Sequence, residues 1–196
     1  MGPGILTHRA IVPSGTLLIY SSAATHLLSV ILAEATGMTT LQYAREKLLG
    51  PLGIATDPAL EPPAAAVDTA GYDRAGFAWP RDPQGYHLGF GYLRLTALDM
   101  LKLGQLYLDN GRWLGRQIVP ADYVRESTQA YASSVTRASF GYQWWLTAAQ
   151  GRSGFAARGF GGQLVYVVPD LGLGWWRSRV RHQPPGRLRP RPGWRR

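Results

Sequence analysis

The sequence contains no cysteine, which removes disulfides and thiolate metal sites from consideration. It is poor in charge: Asp, Glu, Lys and Arg make up 17% of it, below the usual quarter. Lysine is reduced to Lys47 and Lys102. No uninterrupted apolar run reaches the roughly 18 residues of a membrane span, so no transmembrane segment is expected. Met1–Thr7 lacks a basic stretch followed by a long apolar one and does not read as a signal peptide. Acids are missing from the end, where residues 174–196 hold eight Arg, four Pro and no Asp or Glu.

That last absence explains the net charge of +9: without 174–196, 13 basic side chains face 12 acids, a net +1. A basic chain suggests nucleic acid when the charge lies on a folded face. Here it lies on an Arg/Pro-rich terminus, so a nucleic-acid partner is not the favoured reading. What is present is a globular composition, with 196 residues, 45% hydrophobic content, seven Trp and ten Tyr. This suffices for one domain with a core.

Local patterns divide the chain. Thr16–Tyr20 is a short strand-like run after the turn Pro13-Ser14-Gly15. Ser21–Thr36 is predicted as a helix, with Leu27, Leu28, Ile31, Leu32 and Ala35 as its apolar face and Gly37 as its stop. Thr39 with Gln42 forms a capping box for a second helix ending near Leu49, before Gly50-Pro51. Residues 55–92 are Pro-, Gly- and Ala-rich without periodicity, a covering segment or lid. Thr96 caps a helix with Met100, Leu101, Leu103, Leu106 and Tyr107 on its apolar side, closed by Asn110-Gly111. Pro120 is expected as the first residue of a helix over 120–130. Strands are expected at Phe140–Leu146, Phe155–Phe160 and Leu164–Val168. Helices followed by a meander indicate an α+β fold.

Candidates for chemistry are few. The four His, at 8, 26, 87 and 182, show no zinc spacing. His26 reads as an exposed or internally satisfied side chain. His87, beside Tyr86, reads as structural, with a pocket border as the alternative. Gly159-Phe160-Gly161-Gly162 precedes a strand rather than a helix, so it is not a phosphate loop. Neither Gly-x-Ser-x-Gly nor Ser-x-x-Lys occurs; Ser134-Val135-Thr136-Arg137 only imitates the latter, in an expected loop, and Arg cannot act as a base. Tyr20-Ser21-Ser22 remains, where an extended run meets a helix. A helix N-terminus favours anionic forms, which suits a proton-carrying Tyr. Simple packing at the helix entry is the alternative.

Several segments in order resemble the serine beta-lactamase-like hydrolases, a superfamily that includes class C beta-lactamases, penicillin-binding proteins and esterases. Pro13–Thr16, Tyr20–Ala23, His26–Leu28, Ala35–Met38 and Leu49–Ile54 resemble the stretch around the second motif of these enzymes. Leu93–Met100 with Lys102–Gly104 resembles their following helix. Phe140–Trp145, Gly159–Gln163 and Val168–Asp170 resemble their last strands. The resemblance spans about 11–172. It implies an acyl-enzyme on the Ser of a Ser-x-x-Lys motif, with Lys and the motif Tyr sharing the proton.

By position Tyr20 matches that Tyr. Ser22 matches a third member that is usually Asn, and it lacks the amide's paired donor and acceptor. The third motif, Lys/His-Thr-Gly in true beta-lactamases, falls near Gly159–Gly162 without Lys, His or Thr. This turns the expectation from a beta-lactam carboxylate site toward an ester, amide or peptide substrate. Backbone N–H groups at Gly161 or Gly162 are candidates for half of an oxyanion hole, or for a hairpin turn, or both.

The resemblance implies neither metal nor organic cofactor, and a family often found in the periplasm or secreted. The expected arrangement is an incomplete beta-lactamase/transpeptidase-like α+β domain over 1–173, its Ser-x-x-Lys helix lying upstream, followed by a basic tail over 174–196 that is disordered or out of frame. Such a chain is expected to be inactive by itself. The alternative is a non-enzymatic module that binds nucleic acid or an anionic surface through the tail.

Overall fold

The computed structural model describes Pro13 and residues 16–64, 70–131, 133–134, 139–149, 151–159 and 162–177. After a two-residue strand β1 (Leu17–Leu18) comes helix α1 (Ser22–Thr36). Ser21 caps α1 by accepting the Ala24 N–H, and Gly37 ends it at φ 66°, where a residue without Cβ avoids strain. Helix α2 (Thr40–Ala44) begins on the capping box of Thr39 and Gln42 and continues as a π-turn over Arg45–Leu49. The segment that follows is largely irregular, held by isolated bridges and the short helix α3 (Ala70–Arg74).

Helix α4 (Ala97–Leu108) starts at Thr96, whose hydroxyl accepts the Asp99 N–H. Strands β2 (Arg112–Trp113) and β3 (Arg116–Gln117) form a small hairpin. Helix α5 covers Ala121–Ser127, with Pro120 as its N-cap rather than its first residue, and ends three residues before the expected 130. Strand β4 (Ser133–Ser134) pairs in parallel with β1, so Ser134 lies in a strand and not in the expected loop; Val135–Arg137 lie outside the described residues.

Five strands then form an antiparallel meander in chain order: β5 (Ser139–Phe140), β6 (Trp145–Ala149), β7 (Arg152–Arg158), β8 (Leu164–Val168) and β9 (Leu173–Arg177). The strand expected over Phe140–Leu146 is two strands. The chain reverses at 141–144, where the Gly141 N–H donates to Trp144 O and Gln143 sits at φ 66°. Glycine is required at 141, because a Cβ there would lie 2.1 Å from Ser127 O. The strand expected at Phe155–Phe160 runs over Arg152–Arg158 instead. Strand β9 takes in residues 174–177, placing the first four residues of the expected tail in register with β8; residues 178–196 lie outside the described residues.

The fold is therefore α+β. One core gathers Leu41, Leu49, Leu52, Ile54, Phe77 and Leu106 between α2, the irregular segment and α4. Helix α4 also packs on β8 and β9. Gly104 allows this approach: a Cβ there would lie 3.0 Å from Val165 and 3.7 Å from Val167. Phe155, Val165 and Val167 thus face α4, and Trp145, Ala156 and Arg158 face the other side of the sheet.

Helix α1 reverses the sequence expectation. Its buried residues are His26 and Ser29, while Leu28 and Ile31 of the expected apolar face are exposed, at 52% and 60%. Burial on α1 is decided by polar partners. Ser29 Oγ meets Thr40 Oγ1 at 2.6 Å, and His26 meets Asp82.

Candidate active site

Tyr20 precedes the N-cap of α1 and lies against the sheet face opposite α4. Its ring stacks on Trp145, with centroids 5.7 Å apart and planes at 28°, and meets Phe140 edge-on at 6.4 Å. Phe140 and Trp145 are register partners on β5 and β6, so the hairpin presents both rings together. The Tyr20 side is 56% exposed, and its hydroxyl has no hydrogen-bond partner among the described residues. Ser22, the first residue of α1, is exposed as well, and its hydroxyl also has no partner among the described residues. The capping role falls to Ser21, leaving Ser22 free to donate.

The same aromatic cluster leads to the third expected region. The Arg158 guanidinium lies over the Trp145 ring, 5.7 Å from its centroid. Immediately beyond it, the Gly159 N–H donates to Gln163 O at 2.9 Å and the Gly162 N–H donates to Gly159 O at 3.2 Å, closing the β7–β8 hairpin. Gly162 has φ 90°, which favours glycine there. Gly162 is therefore a turn residue with its N–H engaged. Gly161 lies outside the described residues. Tyr20 and this hairpin are linked through Trp145 and Arg158, neither of which the sequence reading gave a role in the site. An aromatic residue opening a strand and an Arg closing the next carry no local signal of a site.

Two buried histidine clusters support the segment that covers α1. The Gly89 N–H donates to His26 Nδ1 at 3.1 Å, so the His26 proton sits on Nε2, which donates to Asp82 Oδ2 at 3.1 Å. Asp82 Oδ1 accepts from the Gln84 and Tyr86 N–H groups, at 2.9 Å each. Burial alone would raise the Asp82 pKa, but the bonds from His26, Tyr86 and Gln84 outweigh it and hold the carboxyl below its ordinary range. His26 is thus an internally satisfied side chain, and it anchors the segment to the helix that carries Tyr20. Gly89 sits so close that a Cβ would lie 2.6 Å from Thr25 O.

His87 is fully buried. Its Nε2 lies 2.9 Å from Glu61, which also accepts from Arg81 Nε at 2.7 Å. Burial lowers the His87 pKa, against the opposing pull of Glu61. The ring is therefore neutral and donates to Glu61. Among the described residues no cluster of three or more His, Asp or Glu is arranged to hold a metal, and no helix is long and apolar enough to cross a membrane.

An α+β domain in which a helix N-terminus delivers a tyrosine to the open face of an antiparallel meander, beside a glycine hairpin, defines a structural class. The chain belongs to the Beta-lactamase family, whose profile matches residues 5–177. Solved structures agree on the fold. A Bacillus anthracis protein provisionally described as a 6-aminohexanoate-dimer hydrolase is 21% identical, with a TM-score of 0.65 over 85% of this chain and 39% of its own. A penicillin-binding protein homolog from Caulobacter crescentus is 16% identical, with a TM-score of 0.59 over 84% of this chain and 53% of its own. A Bacteroides dorei protein provisionally described as a beta-lactamase is 16% identical, with a TM-score of 0.60 over 89% and 55%. The chain thus spans between about two fifths and somewhat over half of these structures.

Proposed function

We infer that residues 16–177 supply the tyrosine-bearing part of a serine hydrolase site that cleaves an ester, amide or peptide through an acyl-enzyme. The observation that carries this reading is Tyr20: a phenol hydroxyl without a partner among the described residues, at the entry of a 15-residue helix, its ring held on Trp145. In this role Tyr20 takes the proton from the serine nucleophile or passes it to the leaving group. Ser22, one residue past the N-cap, donates a single hydrogen bond to the substrate. In this reading a backbone N–H of the Gly161-Gly162 pair is half of the oxyanion hole; the Gly162 N–H also closes the hairpin, and Gly161 lies outside the described residues.

The serine nucleophile and its lysine are not among these 196 residues, since no Ser-x-x-Lys occurs in the sequence. The chain alone is accordingly inactive: losing such a unit removes on the order of a million-fold in rate. The test is incubation of the purified chain with a fluorophosphonate probe and a chromogenic ester. No covalent label and no turnover are expected from the chain alone. Turnover is expected when a Ser-x-x-Lys segment from a family member is joined upstream. Stoichiometric labelling of the chain alone would show that one of its own serines is the nucleophile and would overturn this assignment.

A further inference from the structure

We propose that a cavity at the C-terminal end of α1, at the far end of that helix from Tyr20, binds a small primary ammonium ion on a short apolar stem. Glu34 takes the charge of this ligand and His87 Nδ1 accepts one of its N–H groups.

The cavity measures about 400 Å³, within the range of sites that hold small molecules. Ala33, Glu34 and Met38 line one side, where α1 ends and the chain turns into α2. Gln84, Tyr86 and His87 line the other. A rise of about 1.5 Å per residue along α1 sets this place roughly 20 Å from the Tyr20 end of the helix. The walls are fixed in the ligand-free chain. Asp82 Oδ1 accepts the Gln84 and Tyr86 N–H groups, and the Tyr86 hydroxyl donates to Glu34 at 2.5 Å, which ties the 84–87 turn to α1.

Charge selects a cation. Among the described residues that line the cavity, Glu34 is the sole carboxylate and there is no Lys or Arg. The last turn of α1 carries no basic side chain, so the partial negative charge of its C-terminus is uncompensated. Hydrogen bonding then selects among cations. The Thr39 hydroxyl already accepts the Gln42 N–H, and the Thr40 hydroxyl is bonded to Ser29. His87 differs: its Nε2 donates to Glu61, while its Nδ1 is buried with no partner among the described residues. A neutral imidazole protonated at Nε2 keeps an acceptor at Nδ1, and a buried acceptor left unmet is unfavourable until a donor reaches it. A primary ammonium carries three N–H donors, enough to serve Nδ1 and Glu34 together. A quaternary ammonium carries none. A metal ion lacks ligands here, since no three His, Asp or Glu among the described residues are grouped to hold one. The Ala33 and Met38 side chains and the Tyr86 ring give the stem an apolar wall.

The experiment titrates the full ¹⁵N-labelled chain with benzylammonium, benzyltrimethylammonium and benzyl alcohol, following the His87 Nδ1 signal and the Gly85 and Tyr86 amide signals by NMR. At about pH 7.5 the amine is protonated, as a Lys side chain is. Benzylammonium is expected to bind saturably, at least about tenfold more tightly than either of the other two, and to move the His87 Nδ1 signal. Glu34→Gln changes an exposed side chain and keeps an acceptor for the Tyr86 hydroxyl, so amide spectra away from the cavity should stay unchanged. Binding of benzylammonium to this variant should weaken at least about tenfold. Absence of saturable binding, equal or tighter binding of the quaternary ammonium or the alcohol, an affinity unchanged in Glu34→Gln, or a His87 Nδ1 signal that does not move overturns the proposal.

Discussion

Tyr20 stacks on Trp145, and this contact joins the start of the first long helix to the first full strand of the meander. The ring is fixed by the sheet while its hydroxyl has no partner among the described residues. That combination separates the two sequence readings of Tyr20, because packing involves the ring and proton transfer involves the hydroxyl.

Tyr20→Phe is therefore expected to leave the unfolding midpoint unchanged. In a form carrying a Ser-x-x-Lys segment upstream, it should lower kcat by roughly two to four decades, the scale of general acid–base catalysis. Steady-state ester hydrolysis checks this, and an undiminished kcat would return Tyr20 to packing alone.

The His26–Asp82 pair should behave as a coupled unit. Asp82→Ala strands the His26 Nε2–H in a buried site and frees the Gln84 and Tyr86 N–H groups, a loss of roughly 2–4 kcal/mol. His26→Phe should cost a similar amount, and the double variant clearly less than the two together. Urea unfolding of the four proteins measures this coupling; strictly additive losses would show that the contact contributes nothing of its own.

Stability should fall in two stages on acidification. His87 is shifted down by burial from an ordinary 6.5, so between that value and its folded pKa the unfolded chain binds more protons, and stability is lost as pH falls through this range. Glu61 and Asp82 are held below their ordinary 4.5 and 3.8, because hydrogen bonds from Arg81 and His87, and from His26, outweigh the opposing effect of burial. The stability they contribute is complete above those values and disappears as pH drops below them. Thermal unfolding between pH 8 and 3 should show both stages, and His87→Phe should remove the upper one. A midpoint that stays flat from pH 7 to 5 would contradict the neutral buried imidazole.

Gly141→Ala and Gly174→Ala should differ sharply. The first places a Cβ 2.1 Å from Ser127 O, at the turn that brings Phe140 beside Trp145, and should cost roughly 1–3 kcal/mol or more. The second adds a Cβ that meets nothing within 4 Å, on edge strand β9, and should change stability little. Denaturation midpoints compare the two directly, and equal losses would mean that the turn is not set by this contact.

The sequence by itself determined the elements with local physical signals. Thr39 and Thr96 cap the helices they begin, because a side-chain acceptor three residues before an N–H is a local fact. Leu164–Val168 is a strand because its β-branched run and glycine borders favour no other state. The order of these segments, with Tyr20-Ser21-Ser22 among them, already resembled the family to which the chain belongs. Only the tertiary structure decided which faces are buried. Hydrophobic periodicity pointed Leu28 and Ile31 of α1 inward, yet His26 and Ser29 are inside, because Asp82, Gly89 and Thr40 offer them hydrogen bonds from distant parts of the chain. The neighbours Trp144 and Trp145 join different clusters, one with Tyr107 and Phe155 on the α4 side and one with Tyr20 and Phe140 on the open side. Period-two patterning gives alternation but not which side meets a helix. The reversal at 141–144 and the packing of α4 at Gly104 set that, and with it the place of Trp145 beside the tyrosine.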